Sequence, residues 1–136
     1  CNDADCADAI QNAIVHAFEN LCSLRNDKYA KTWFIRILIN ECHQVMRDNK
    51  KVVTWEEYQE EGREAEYIRG YGQYSELYES IMRLKENERT CIILYYFEEY
   101  SIREIAQCLE STESAVKKRL VRAREHLRGI LKAKSA

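Results

Sequence analysis

The sequence predicts an all-α protein in which two small helical domains are joined by a linker. Proline is absent and glycine occurs four times in 136 residues, so the residues that most often form tight turns and β-hairpins are scarce. Apolar residues recur at three- and four-residue spacing over several stretches, as they do in amphipathic helices. This spacing is lost over residues 51–75, which contain six glutamates and three glycines. We interpret that segment as an acidic linker between a domain at 1–50 and a domain at 76–136.

Two helices are predicted in the first domain, at residues 3–24 and 29–48, with a polar break between them. The centre of the second helix, residues 33–39, is apolar on nearly all sides and therefore must be buried on more than one side. The first helix cannot cover it alone, so a further packing partner is expected. The apolar face of the first helix consists of Ile10, Ile14, Ala17, Phe18 and Leu21.

The second domain is predicted to be a four-helix unit that ends in a helix-turn-helix. Its first two helices lie at about 76–84 and 87–98. Ser101, with Glu104 three residues later, has the capping-box pattern that begins a helix, and Thr112 is placed to cap the final helix after a tight turn. Two short capped helices around such a turn are typical of DNA-binding units. The final helix has an apolar stripe suited to burial: Val116, Leu120, Ala123, Leu127 and Ile130.

Charge is distributed unevenly along a chain whose formal net charge is −2. Residues 111–136 hold eight basic and two acidic side chains, a local net charge of about +6. On a helical wheel Ser114, Lys118 and Arg122 lie opposite the apolar stripe, so they are available to a DNA groove, although a solvated helix face would show the same run of charges. The candidate DNA-binding residues of this helix are Thr112, Ser114, Lys117, Lys118, Arg119 and Arg122.

Several function classes are excluded by what the sequence lacks. No apolar run approaches the roughly 18 residues of a membrane span and no signal peptide begins the chain, so we expect a cytoplasmic protein without membrane insertion. The six cysteines form no CxxC pair, which argues against zinc and favours buried or incidental reduced thiols. No nucleophile triad, metal-ligand cluster or phosphate loop is present, so we expect no enzyme activity and no cofactor or metal.

Both halves resemble the extracytoplasmic-function (ECF) group of bacterial RNA polymerase sigma factors. Residues 84–109 (LKENERTCIILYYFEEYSIREIAQCL) and 114–127 (SAVKKRLVRAREHL) resemble conserved region 4 of that family. Response regulators have similar endings, but they lack the two helices of sigma region 2 that residues 5–21 (DCADAIQNAIVHAFENL) and 29–42 (YAKTWFIRILINEC) resemble. The order of the two halves identifies the chain as a member of this group, with region 2 truncated at its N-terminus.

The resemblance implies roles for residues at the matching positions. The side chains expected to face the polymerase clamp are Asp8, Gln11, Asn12 and Glu19. In this family the turn before the second helix and an asparagine within it form a pocket for a flipped base of the minus-ten element; the corresponding residues are Asn26, Asp27, Lys28, Tyr29 and Asn40. Trp33 matches a family tryptophan, for which plain core packing is an equal interpretation. The cations available to the melted strand are Lys31, Arg36, Arg47, Lys50 and Lys51.

Three departures from the family pattern are present. The leading helix of region 2 is absent, and because the first residue is Cys and not Met, we expect the chain to begin inside a longer natural sequence. Lys85 stands where the family often has proline. Glu110 stands where glycine usually supplies a positive φ, at an expected strain of about 1 kcal/mol.

The leading hypothesis is therefore a promoter-specificity subunit that binds core RNA polymerase and recognises both elements of a promoter, and that is itself bound by an anti-sigma factor. The final helix would recognise the minus-thirty-five element. One alternative is a stand-alone helix-turn-helix regulator in which residues 1–50 form oligomers. The other is a sigma-like protein that binds an anti-sigma factor as a decoy and does not contact DNA.

Overall fold

The computed structural model describes residues 2–51 and 75–135, and all regular secondary structure within them is helical. Contacts divide the described residues into two compact units. The first contains residues 2–51 and Gln107–Glu110, and the second contains the other residues of the range 75–135. The all-α prediction is confirmed. Most of the predicted acidic linker, residues 52–74, lies outside the described residues, so the predicted domain boundaries stay predictions.

The first unit consists of two helices, α1 (Asp3–Glu19) and α2 (Ala30–Lys51), separated by short 3-10 turns at Leu21–Ser23 and Asp27–Tyr29. The Asn2 side chain accepts the Asp5 N–H at 2.9 Å, and the Asp5 carboxylate accepts the Asn2 N–H, so a capping box begins α1. The prediction that this helix continues to residue 24 is wrong, because Asn20 leaves helical geometry and its amide donates to the His16 carbonyl at 2.9 Å.

The buried side of α1 differs from the predicted apolar face. Ala9 and Ala13 are the buried residues, at 2% and 0% exposure, and they lie one turn apart on the helix that packs against α2. Small side chains there allow the two backbones to approach closely. The prediction for α1 is therefore corrected: Ala17 is half-buried, and four large members of the predicted face are exposed, namely Ile10, Ile14, Phe18 and Leu21.

The apolar centre of α2 is only partly covered. Residues 33–39 are all half-buried except Arg36, which is exposed. The expectation of burial on several sides is not met within this unit, because α1 is the helix that packs against α2 there. Glu41, in contrast, is buried on α2.

The four helices predicted for the second domain are α3 (Ser75–Met82), α4 (Glu86–Ile92), α5 (Ile102–Cys108) and α6 (Glu113–Ser135), and all but the last two residues of α5 belong to the second unit. The predicted helix at 87–98 is divided, since α4 continues into a π-helical turn at Ile93–Phe97. The long α6 packs against α3 and α4. The core of this unit includes Ile81, Leu84, Cys91, Ile92, Leu94, Ile105, Val116, Leu120 and Ala123.

The caps of the helix-turn-helix are confirmed. The Ser101 N–H donates to a Glu104 carboxylate oxygen at 2.8 Å and the Glu104 N–H donates to the Ser101 hydroxyl at 3.2 Å. Thr112 caps α6 by accepting the Ala115 N–H at 3.1 Å. Each cap satisfies a backbone donor that the first turn of a helix leaves unpaired.

The turn between α5 and α6 contains a residue with the positive φ that glycine usually supplies at this position. Glu110 has φ 50°, the left-handed conformation that glycine adopts without cost. The Ser111 N–H donates to the Ala106 carbonyl at 2.9 Å across this residue, which is the bond of a Schellman cap. The expected strain is therefore located at Glu110, two residues after the end of α5.

Candidate nucleic-acid interfaces

The side of α6 that faces away from the core is exposed from the N-terminus of the helix onward. Val116, Leu120 and Ala123 are 0–1% exposed and fix which side of the helix is buried. The candidate residues on the opposite side, Ser114, Lys118 and Arg122, are all exposed, as are Thr112 and Lys117. The predicted orientation of the helix is confirmed, while DNA contact by these side chains stays a prediction.

Three basic side chains of α6 are engaged inside the second unit. Arg119 is half-buried beside the buried Cys91 thiol and so is less exposed than the row that contains Lys118, while its contact with DNA stays a prediction. Arg124 donates to the Tyr96 hydroxyl at 2.8 Å, and its guanidinium lies 5.7–5.8 Å from the centroids of the Tyr95 and Tyr96 rings. Lys134 pairs with Glu79 of α3 at 2.9 Å.

The position of Arg119 follows from the helical period. It lies about 60° from Val116 on the wheel, nearer the buried stripe than the row that contains Lys118. Burial raises the pKa of the Cys91 thiol, and the neighbouring Arg119 guanidinium acts in the opposite direction. Arg119 therefore lies beside the contact between α4 and α6 and is only partly exposed.

Five cations on α6 remain available to a polyanion. They make no ion pair or hydrogen bond with any residue that the structure describes, and all are exposed. Their positions follow the outer side of the helix over its whole length. They are Lys117, Lys118, Arg122, Arg128 and Lys132.

Val121 is a candidate that sequence reasoning missed. This side chain is 50% exposed and lies about 140° from Val116 on the wheel, between Lys117 and Lys118. An exposed apolar group among cations can contact the thymine methyl in a major groove. The signal was present in the sequence, since a valine on the polar side of a helix interrupts its charge pattern.

The first unit has a cleft between the end of α1 and the middle of α2, with a volume of about 270 Å³. Asn40 lies on its wall, and the Asn40 amide makes no hydrogen bond with any described residue. Trp33 supplies an aromatic face and is half-buried about two turns before Asn40 on α2. The residues that line the cleft are His16, Asn20, Ser23, Trp33, Ile37, Asn40 and Glu41.

The predicted turn residues take other positions. Asn26 to Tyr29 are not among the residues that line the cleft around Asn40, so the structure does not bring the two predicted parts of the pocket together. The Asn26 side chain accepts the Lys28 N–H at 3.0 Å and begins the 3-10 turn, and Tyr29 is exposed. Sequence reasoning missed His16, Asn20 and Ser23, whose presence in the cleft depends on where α1 ends.

The predicted strand-binding cations lie along α2. Lys31, Arg36 and Arg47 are exposed, and Arg47 donates to the Gln44 side chain at 2.9 Å. The side chains of Lys50 and Lys51 lie outside what the structure describes. The structure therefore places three of the five predicted cations on the surface of α2.

The predicted polymerase face of α1 is exposed throughout. Asp8, Gln11, Asn12 and Glu19 lie within about 100° of one another on the wheel, so they form one polar side of the helix. Next to it lies the exposed apolar side that contains Ile10, Ile14 and Phe18. A partner that covers α1 can thus contact a polar and an apolar strip together.

The chain is similar to known proteins over both units. Residues 74–127 match the family model described as sigma-70, region 4. The chain is 30% identical over 131 residues to RNA polymerase sigma factor SigV of Bacillus subtilis, covering 93% of this chain and 76% of that protein. It is also 30% identical over 132 residues to ECF RNA polymerase sigma factor SigM of Mycobacterium tuberculosis, of which it spans 64%.

Two solved structures have the same fold. The sigma factor RpoE in complex with the anti-sigma factor NepR, from Bartonella quintana, aligns with a TM-score of 0.69 and 24% identity, over 93% of this chain and 80% of that one. CnrH in complex with the cytosolic domain of CnrY aligns with a TM-score of 0.70 and 23% identity, over 97% and 74%. Within residues 2–51 and 75–135, every helix is too short or too polar to cross a membrane.

Proposed function

The chain belongs to the ECF group of RNA polymerase sigma factors, and on that premise we propose that it binds core RNA polymerase and directs transcription initiation at specific promoters. The observation that carries the proposal is the extent of the similarity to SigV, which covers 93% of the chain and so includes both units. A stand-alone regulator would need only the helix-turn-helix at residues 74–127. The family is not a family of enzymes.

The proposed contact with the minus-thirty-five element is made by α6. Exposed Ser114, Lys118 and Arg122 would face base edges in the major groove, and Lys117 would contact phosphate beside them. Thr112 places the positive end of the α6 dipole at the same site, which favours a phosphate there. Arg119 is left out of this surface because it is half-buried beside Cys91.

The proposed contact with the minus-ten element is made by the cleft of the first unit. An extruded base needs a small cavity, a surface to stack on and polar groups for its edge. The cleft volume of about 270 Å³ lies just below the range of roughly 300–1,000 Å³ for sites of drug-sized ligands, which suits a smaller group such as one nucleobase. The amide of Asn40 supplies a donor and an acceptor, and Trp33 supplies an aromatic face.

We further propose two protein partners. The polymerase clamp is expected on α1, over the exposed Asp8, Gln11, Asn12 and Glu19. An anti-sigma factor is expected on exposed apolar side chains, of which Phe18 is 76% and Phe97 61% exposed. Such apolar groups are available for burial when a partner binds. Both proposals place the protein in the cytoplasm, where bacterial DNA is transcribed.

Run-off transcription with purified core RNA polymerase tests the proposal. The full chain is mixed with core enzyme and a library of promoter fragments, and the start sites of the transcripts are sequenced. Transcripts that begin at defined distances from shared upstream sequences are expected. If the protein binds neither core enzyme nor DNA but binds an anti-sigma factor, it acts as a decoy and the proposal fails.

A further inference from the structure

A histidine and a buried glutamate meet at the cleft of the first unit. His16, in the last turn of α1, has its Nδ1 atom 2.5 Å from a carboxylate oxygen of Glu41 on α2. The Glu41 side chain is 12% exposed, whereas that of His16 is 51% exposed. Both residues line the cleft that also contains Asn40. The pair therefore joins the two helices at the wall of the proposed base pocket.

The geometry determines which ring nitrogen of His16 carries a proton. An ionised carboxylate can only accept hydrogen bonds, so Nδ1 must be the donor in this pair. Nε2 is then the polar atom of the ring that is left for a ligand. A buried acceptor that orients a histidine through its other nitrogen is a common way to fix the position of the ring in a site.

We infer that His16, held by Glu41, is a specificity-determining residue of the cleft and contacts the edge of the extruded base through Nε2. This inference rests on the proposed function of the cleft. Asn40 on α2 and His16 on α1 belong to different helices, so a base between them would meet polar groups from two directions. The Asn40 amide alone, with one donor and one acceptor group, would accept several bases alike. A second polar contact from His16 would distinguish among those bases.

The test uses the full chain with core RNA polymerase and a promoter library in which the minus-ten region is randomised. Transcript sequencing gives a base preference at each position. His16→Ala is expected to reduce the preference at a single minus-ten position by roughly 2- to 12-fold, the range for one hydrogen bond, and to leave the other positions unchanged. Glu41→Gln, which keeps the size of the side chain, is expected to weaken the preference at the same position because a glutamine amide no longer selects the Nδ1–H form.

The second unit provides a matched control. His126 and Glu88 form a pair of the same kind, with side-chain exposures of 52% and 9%, outside the cleft. His126→Ala should therefore leave every minus-ten preference as in the wild type. Circular dichroism shows whether His16→Ala keeps the first unit folded. If that variant is unfolded, the base preference of the Glu41→Gln variant decides.

The outcomes separate this inference from the proposed function. If the wild-type chain directs no promoter-specific transcripts, the proposed function fails. If the wild type is active but His16→Ala and Glu41→Gln keep the wild-type preference at every position, the inference is wrong. A uniform loss of activity with an unchanged preference also overturns it, because His16 would then act only on the packing of α1 against α2.

Discussion

His126 Nδ1 lies 2.8 Å from a carboxylate oxygen of Glu88, and this contact joins α6 to α4. The Glu88 side chain is 9% exposed, so its buried carboxylate needs a hydrogen-bond partner inside the unit. We expect His126→Ala to destabilise the second unit by about 1–3 kcal/mol, the usual cost of a buried polar group without its partner. Urea denaturation followed by circular dichroism measures this change. A double variant, His126→Ala with Glu88→Gln, should recover part of the loss; no destabilisation by the single variant would contradict the role of the pair.

Lys117 is expected to contribute to DNA affinity in a salt-dependent manner. Lys117→Ala should lower affinity for promoter DNA and reduce the slope of log K against log salt by about 0.9, the value for one phosphate contact. Fluorescence anisotropy at several salt concentrations measures both quantities. Lys132→Ala is the matched control, since it removes the same charge from the same exposed side about 22 Å further along the helix. Equal effects of the two variants would indicate binding to a general basic surface.

Asn40 is expected to act after the duplex is bound. Asn40→Ala should reduce promoter opening with little change in binding of the closed duplex, because the amide is proposed to contact an extruded base. Permanganate reactivity of thymines in the minus-ten region reports the opened strand. Asn26→Ala is an informative comparison, since Asn26 begins a turn outside the cleft. It should lower stability through the lost cap, by about 0.5–2 kcal/mol, and retain opening.

Glu99 offers a test of backbone strain in the second unit. Its φ is 56°, so Glu99→Gly should raise the free energy of unfolding by up to about 1 kcal/mol through relief of that strain. The neighbouring Glu98 has φ −96°, and Glu98→Gly should instead destabilise by about 0.5–1 kcal/mol through greater freedom of the unfolded chain. Thermal melts of both variants would give opposite shifts. Shifts of the same sign would be inconsistent with a left-handed strain at residue 99.

Cys91 is expected to make stability depend on pH in the alkaline range. Burial raises the pKa of its thiol above the ordinary value of 9.0, although Arg119 acts against this. The unfolded chain therefore loses this proton at lower pH than the folded chain, so the contribution is complete below about pH 9 and is lost as pH rises through the folded pKa. Urea titrations between pH 7 and pH 10.5 check this. Cys91→Ala should show a flatter alkaline decline than the wild type, and an equal decline in both would contradict it.

The sequence predicted the second unit better than the first because its signals are local. The Ser101 and Thr112 caps, the buried Val116 stripe and the turn at Glu110 each depend on residues within one or two turns of each other. In the first unit the burial pattern depends on which side of α1 another helix covers. Periodicity marked the large apolar residues around Ile14, whereas the contact with α2 uses Ala9 and Ala13.

The candidate sites show the same difference between local signals and contacts that join separate helices. The exposed position of Lys118 follows from helical period alone, whereas Arg119, which was predicted to flank the same surface, is half-buried. The proposed base pocket requires contact between two helices that no spacing in the sequence specifies. Asn40 was predicted from the family resemblance, whereas His16 and Glu41 became visible only when their atoms were found 2.5 Å apart.

The π-helical turn at Ile93–Phe97 fits one additional residue into the helix that α4 begins. Residues in such a turn advance less around the helix axis than α-helical residues do, so the additional residue does not change the orientation of the residues on either side. Deleting one residue within the turn would therefore restore an ordinary α-helical turn and still allow Cys91 and Leu94 to face the interior. A deletion within the buried stripe of α6 would instead rotate one part of that helix by about 100° relative to the other. A one-residue deletion at Ile93–Phe97 should therefore be tolerated better than one in α6.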